Sequence, residues 1–243
     1  MAVESDPTNR KEVILRETGI VDEVKLSSDE TYFYVTMLLK NDIDYQKQAL
    51  ILGFDTYERN LGEYIYQKDL FGNSWSGMEF IVKFENQKDA SLYVIPSYNA
   101  QKSKYFTAAT YVGDYDFVSK LKYGNFDASN NHFYATGTSV FVRIPWASLN
   151  FADPSRKMVL SDNRAAAAIA ADKSGLQTQF TNGILFSVIV SDKETKDTLY
   201  LFPATKMSTG YKVFSWEPWE KPSYKMRLKT GYHMIGRYFE AIE

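Results

Sequence analysis

Two tryptophans spaced Trp216-x-x-Trp219, with Tyr224 five residues on, offer flat apolar faces on which the C–H bonds of a sugar ring can stack. Glu217, Glu220 and Arg227 stand close enough in sequence to hold the hydroxyls of such a ring. The same tryptophans could instead clamp the end of the chain onto its body, because large aromatic side chains mostly end up buried. A second aromatic set lies between Pro96 and Gly137, a stretch poor in aliphatic residues. It holds Tyr98, Tyr105, Tyr111, Tyr115, Tyr123, Phe126 and Tyr134 among Asn99, Asp114, Asp116, Asn125, Asn130 and Asn131. Long loops on a rigid scaffold are where binding residues usually sit. Part of this stretch must nevertheless be strand, since about 40 residues without regular structure is improbable in a compact domain. Trp75, within Gly72-Asn-Ser-Trp-Ser-Gly77, is flanked by small turn residues and could stand on a loop tip.

Hard oxygen ligands occur together at Asp55, Glu58, Asn60 and Glu63, which a structural calcium ion could use. Their spacing fits no defined calcium loop, and a solvated turn is the other reading. Catalysis has less to stand on. A glycosidase needs two carboxyl groups about 5 to 9 Å apart across a cleft, and Glu58, Glu63, Glu79, Asp114 and Asp116 have no context that singles out a pair. Neither His132 nor His233 has the setting of a Ser-His-Asp triad. There is no Gly-rich phosphate loop after a strand and no His-x-x-x-His.

Composition narrows the classes further. A net charge of −2 argues against nucleic acid as the main partner, because phosphate binding needs a concentrated basic face. The absence of cysteine excludes disulfides and thiolate metal sites. No apolar run approaches the length of a membrane span, and Met1-Ala2-Val3-Glu4-Ser5-Asp6 lacks the pattern of a signal peptide. There is no Asn-x-Ser/Thr acceptor for a glycan. The aromatic fraction of 16% is high for 243 residues, and Tyr and Phe favour both strands and wet contact surfaces.

The elements that must position these residues read as strands. Short apolar or alternating runs recur between turn residues, as in a sandwich of sheets. Thr31 to Lys40 reads as a strand buried on both faces; further strands are expected over Ala49 to Phe54, Met78 to Phe84, Ser91 to Ile95, Ser139 to Ile144, Ile184 to Val190, Thr198 to Phe202 and Tyr211 to Phe214. Lys193 to Asp197 reads as a hairpin connection. Two segments break the pattern: Asn163 to Asp172, Ala-rich, is expected to form a short helix, and the tail from Pro222 carries Tyr232, Ile235, Phe239 and Ile242 at helical spacing. The expected fold is all-β, a two-sheet antiparallel sandwich of jelly-roll or immunoglobulin-like type, with that helix and a C-terminal helical extension. The sandwich would occupy residues 1–215, its core about 20–215, and the extension 216–243.

In Arg143-Ile144-Pro145-Trp146-Ala147-Ser148-Leu149, closing the run Ser139-Val140-Phe141-Val142, the residues Val140, Val142 and Ile144 share one face of a strand that Pro145 ends. A strand running into Ile-Pro-Trp and a short apolar turn resembles a landmark of DOMON-like β-sandwiches, which include the family-nine carbohydrate-binding modules. The order of parts from about Ile20 to Phe214 is similar too: Ile20 to Asp29, a strand led by Tyr32, Gly53-Phe54-Asp55-Thr56, a loop with Gly62, Met78-Glu79-Phe80, and Thr181 to Phe186. The resemblance implies a domain that binds a ligand, a sugar or a haem, without transforming it. Haem-binding members use Met or His axial ligands, and the two histidines here make the sugar the expected ligand. The resemblance further implies an accessory domain of a larger bacterial surface or secreted protein that acts on polysaccharide, with carbohydrate and the neighbouring domains as its partners. The alternatives are a structural or protein-interaction module that positions a catalytic domain, and a polysaccharide-active enzyme.

Overall fold

The computed structural model describes residues 12–57, 62–66, 76–100, 113–127, 130–161, 178–204 and 212–219. Among them the chain forms fourteen strands: β1 (Val13–Arg16), β2 (Val21–Ser28), β3 (Tyr32–Leu39), β4 (Gln48–Asp55), β5 (Phe80–Asn86), β6 (Asp89–Val94), β7 (Asp116–Leu121), β8 (Phe133–Thr136), β9 (Ser139–Pro145), β10 (Phe151–Asp153), β11 (Met158–Leu160), β12 (Thr178–Phe180), β13 (Leu185–Asp192) and β14 (Thr198–Phe202). They build a five-stranded sheet in the order β1-β2-β3-β9-β8 and a six-stranded sheet in the order β14-β13-β4-β5-β6-β7, with a small sheet of β10-β11-β12. Neighbouring strands are antiparallel throughout. The architecture is a β-sandwich.

The two-residue period explains why the large sheets face each other. From the five-stranded sheet, Val24, Leu26, Phe33, Val35, Met37, Val140, Val142 and Ile144 point inward; from the six-stranded sheet, Leu50, Leu52, Phe54, Phe80, Val82, Phe84, Val188 and Val190 meet them in one core. Edge-to-face ring contacts cross between the sheets at Phe33–Phe54, 6.1 Å between centroids, and at Phe84–Phe133, 5.5 Å.

β3 departs from expectation. Its residues alternate, with Phe33, Val35, Met37 and Leu39 buried but Tyr32, Tyr34 and Thr36 half-exposed and Leu38 exposed, so only one of its faces is covered. β4 and β13 are the strands buried along nearly their whole length on both faces. A second, smaller cluster explains this: Ile51, Ile81 and Ile189 on the outer side of the six-stranded sheet pack under Tyr66 and Met78. Gly53 makes room there, for a Cβ on it would stand 2.6 Å from the Tyr66 hydroxyl.

β9 runs into a single 3₁₀ turn, Trp146–Leu149, closed by Asn150 at φ 59°. Trp146 is buried, and its indole N–H donates to the Asp29 carbonyl at 2.8 Å. The Lys193–Asp197 connection is a turn in which the Asp192 carboxylate accepts the N–H groups of Glu194 and Thr195. β7 and β8 are the strands within the Pro96–Gly137 stretch. Of the strand expected over Tyr211 to Phe214, the described part is a single bridge between Phe214 and Ile184, while Tyr211 lies outside the described residues. The Ala-rich helix and the tail from Pro222 also lie outside them, and the helical turns among the described residues are three or four residues long. None of these is long and apolar enough to cross a membrane.

Phe33 touches Phe54, Trp146 and Phe214 and is fully buried. Phe33→Ala is expected to lower the unfolding free energy by about 3 to 5 kcal/mol, measured by urea denaturation. A loss below about 1 kcal/mol would show that the sheets do not pack through this ring.

Candidate functional site

Of the residues expected to meet a ligand, those described are held mainly by the fold. Trp216 is 2% exposed, stacked among Trp146, Phe151 and Phe214, and its indole N–H donates to the Pro154 carbonyl at 2.9 Å. This is the clamp, not a solvent-facing platform. Trp219 is half-buried against the same core. Tyr98 is buried, its hydroxyl donating to the Leu160 carbonyl at 2.6 Å. Tyr115 is half-buried, with its hydroxyl on the Met78 carbonyl at 3.1 Å. Trp75, Tyr111 and Tyr224 lie outside the described residues, as do Glu58 and Asn60.

The aromatic surface lies elsewhere, on the outer side of the five-stranded sheet. β3 turns Tyr32, Tyr34, Thr36 and Leu38 outward; β9 turns Ser139, Phe141 and Arg143; β8 turns Tyr134 and Thr136. Register aligns Lys25, Thr36, Phe141 and Tyr134 across four strands, and Ser27, Tyr34 and Arg143 across three. Phe141 and Tyr134 stack at 4.4 Å and 15°, and both are half-exposed. Phe126 closes the group from the loop before β8, 5.2 Å from Tyr134 and 6.3 Å from Tyr34.

Arg143 holds this surface together. Its guanidinium lies between the rings of Tyr32, 4.7 Å away, and Phe126, 4.5 Å away, and its Nε donates to the Asn131 carbonyl at 2.6 Å. Each such contact is worth on the order of 0.5 to 2 kcal/mol, more as water is excluded, and Arg143 is only 6% exposed. Beside it, burial, Arg143 and Lys122 lower the pKa of His132, whose Nδ1 accepts the Lys122 N–H. Sequence reading included Phe126 and Tyr134 in a loop-rich stretch. It lacked the strand pairing that brings Tyr32, Tyr34 and Phe141 to them.

A polar cluster sits at the end of the β4–β5 pair. Phe54 pairs with Phe80, where the β4–β5 register ends, and the Glu79 N–H donates to the Phe54 carbonyl at 3.1 Å, which brings Glu79 to the end of β4 near Asp55. Asp55 and Glu79 are both buried, 2% and 1% exposed. The Ser76 hydroxyl donates to Asp55 Oδ2, and the Thr56 N–H donates to Glu79 Oε2 at 2.7 Å. Contact between two glycines fixes the covering segment: a Cβ on Gly62 would stand 2.3 Å from the Gly77 carbonyl carbon, and this closeness lets Glu63 and Met78 exchange backbone hydrogen bonds. Glu63 Oε2 accepts the Gly113 N–H at 3.4 Å. Among the described residues no three acidic or histidine side chains come together to hold a metal ion.

Burial, and then the neighbouring Asp55 carboxylate, hold the Glu79 carboxyl well above the usual carboxylate range, against the lowering effect of nearby backbone N–H groups. Raised in the folded state, Glu79 contributes stability below the ordinary carboxylate range, and that contribution is lost as pH climbs through the raised value. Glutamine mimics the protonated form and does not titrate. In metal-free buffer, Glu79→Gln is therefore expected to raise the melting temperature at neutral pH and change it little near about pH 4. Melts across this range check it, and a variant destabilised equally at both ends would contradict the assignment.

Trp216→Ala is expected to cost about 3 to 5 kcal/mol in urea titrations, as truncation of a packed ring does. Comparison with family models, with curated proteins and with solved structures finds no match to this chain.

Proposed function

We propose that this chain is a non-catalytic binding module whose ligand is carbohydrate, serving as an accessory domain of a larger bacterial surface or secreted protein that handles polysaccharide. The observation that carries this reading is the row of half-exposed rings on the outer side of the five-stranded sheet. Tyr134 covers one side of Phe141; the register neighbour on its other side is Thr36, too short to cover a ring. A flat apolar face bordered by Thr36, Thr136, Ser139 and Lys25 offers what a sugar ring needs: stacking for its C–H face and short polar groups for its hydroxyls. The likeness to DOMON-like sandwiches, carried by Arg143 to Leu149, supports the same reading at the level of fold.

A second reading, a protein-docking module, is favoured by Phe117. It is 58% exposed on β7, the last strand of the six-stranded sheet, where an edge can take up a further strand.

Affinity electrophoresis through a panel of polysaccharides tests the first reading. At least one glycan is expected to retard the protein, and none to release reducing ends. Phe141→Ala and Tyr134→Ala are each expected to weaken retardation roughly tenfold, the loss of about 1.4 kcal/mol of stacking, while remaining folded. Undiminished retardation in both variants would move the ligand off this face. No retardation on any glycan would favour the docking module, and release of reducing ends would mark an enzyme.

A further inference from the structure

We propose that a slot over Thr36, walled by the ring of Phe141 and the aliphatic stem of Lys25, takes one uncharged sugar ring standing on edge; this rests on the carbohydrate reading and gives it a place and a ligand class. The slot follows from how Phe141 stands. Phe141 and Tyr134 are register partners on adjacent strands, and their rings lie 4.4 Å apart and within 15° of parallel. That separation is close to the spacing of neighbouring strands, about 4.7 to 4.9 Å, so the two rings stand up from the sheet side by side, their faces turned across the strands. Tyr134 covers one face of Phe141, and the other face looks over β3 at Thr36.

The opposite wall is Lys25, the register neighbour of Thr36 on β2. Its Nζ pairs with the carboxylate of Glu12, which precedes β1 on the far side of β2 from Thr36, so the stem leans away and leaves Thr36 uncovered. Phe141 and Lys25 are two strands apart, roughly 9 to 10 Å between backbones. A ring held between two apolar walls needs two contacts of about 3.5 to 4.0 Å, or about 7 to 8 Å from wall to wall. Two stacked rings would need about 10.5 to 12 Å. The slot therefore admits one ring and excludes two. Thr36 and Phe141 are both half-exposed, so solvent reaches the slot, and the Thr36 hydroxyl at its floor can donate to or accept from a sugar hydroxyl.

The charges around the slot set the class of sugar. Lys25 pairs with Glu12, Arg16 pairs with Glu23 at 2.6 Å, and the Arg143 guanidinium is held between Tyr32 and Phe126. The cations that the five strands turn to this side are thus already engaged. An acidic sugar would bring its charge up to Glu12, a like charge, which disfavours it. The hydroxyls of an uncharged ring meet no such opposition.

Filling the slot tests this without removing any aromatic ring. Thr36→Tyr and Thr36→Leu occupy it from the floor, at an outward strand position that tyrosine suits. Affinity electrophoresis is run through hydroxyethylcellulose, galactomannan and soluble starch, and through carboxymethylcellulose as the acidic counterpart of the first. Wild type is expected to be retarded by at least one uncharged polymer, and Thr36→Ser to match it. Both filling variants are expected to lose retardation roughly tenfold or more while melting close to wild type. Should Thr36→Tyr melt early, Thr36→Leu carries the comparison. If the filling variants are retarded as strongly as wild type or more, while Phe141→Ala is not, the aromatic-face reading stands and the slot is overturned: the ligand then lies flat across the ring edges. Stronger retardation on carboxymethylcellulose than on hydroxyethylcellulose overturns the uncharged class. No retardation on any polymer overturns the slot together with the sugar reading.

Discussion

Strict alternation of side chains along β3 and β9 is the constraint on which the rest depends. Burial of Phe33, Val35 and Met37, and of Val140, Val142 and Ile144, fixes the phase of both strands. A slip of one residue would expose this whole set, so the core allows one register only. Once that phase is fixed, Tyr32, Tyr34, Phe141 and Arg143 must face out. The aromatic surface is thus set by the core. Its composition carries the functional reading, because β-branched or charged residues at those positions would satisfy the fold equally well.

The six-stranded sheet resolves the same alternation differently. Its outer side is covered by Tyr66 and Met78, so residues that would face water in a simple sandwich are enclosed. Asp55 and Glu79 are buried there too, and that burial, with the Asp55 carboxylate nearby, raises the Glu79 pKa. The outcome is a division of labour. One sheet presents an accessible aromatic face, and the other keeps a polar cluster out of water.

Much of the fold was legible because period-two runs between turn residues are local signals, as for Ser139 to Ile144 and Thr198 to Phe202. β3 was read as buried on both faces because tyrosine counts as apolar in a pattern, while its hydroxyl lets it stay half in water. The candidate sites were less legible. Trp216 could be read as a platform or as a clamp, and nothing local shows that Trp146, Phe151 and Phe214 surround it. Glu79 read as an ordinary acid in an alternating run; its burial follows from its hydrogen bonds to the end of β4 at Phe54 and Thr56 and from the glycine contact at Gly62 and Gly77, both non-local. Tyr32 and Phe141 are far apart in sequence, and only pairing through β3 and β9 makes them neighbours.

Asp29 shows how closely the core and the aromatic face are joined. Its carbonyl accepts the indole N–H of Trp146, while its carboxylate accepts the N–H groups of Thr31 and Tyr32 and, at 2.6 Å, the hydroxyl of Tyr34. One residue therefore anchors a buried indole through its main chain and a surface phenol through its side chain. Tyr34 and Tyr32, held at the start of β3, set one border of the group, and Tyr32 with Phe126 encloses the guanidinium of Arg143. Rings restrained in this way lose little freedom when a ligand covers them, which lowers the entropy cost that otherwise offsets stacking. A surface made of loose tyrosines would bear the full cost. Because it is tied through Asp29 to Trp146, this face is preorganised by the same packing that closes the sandwich.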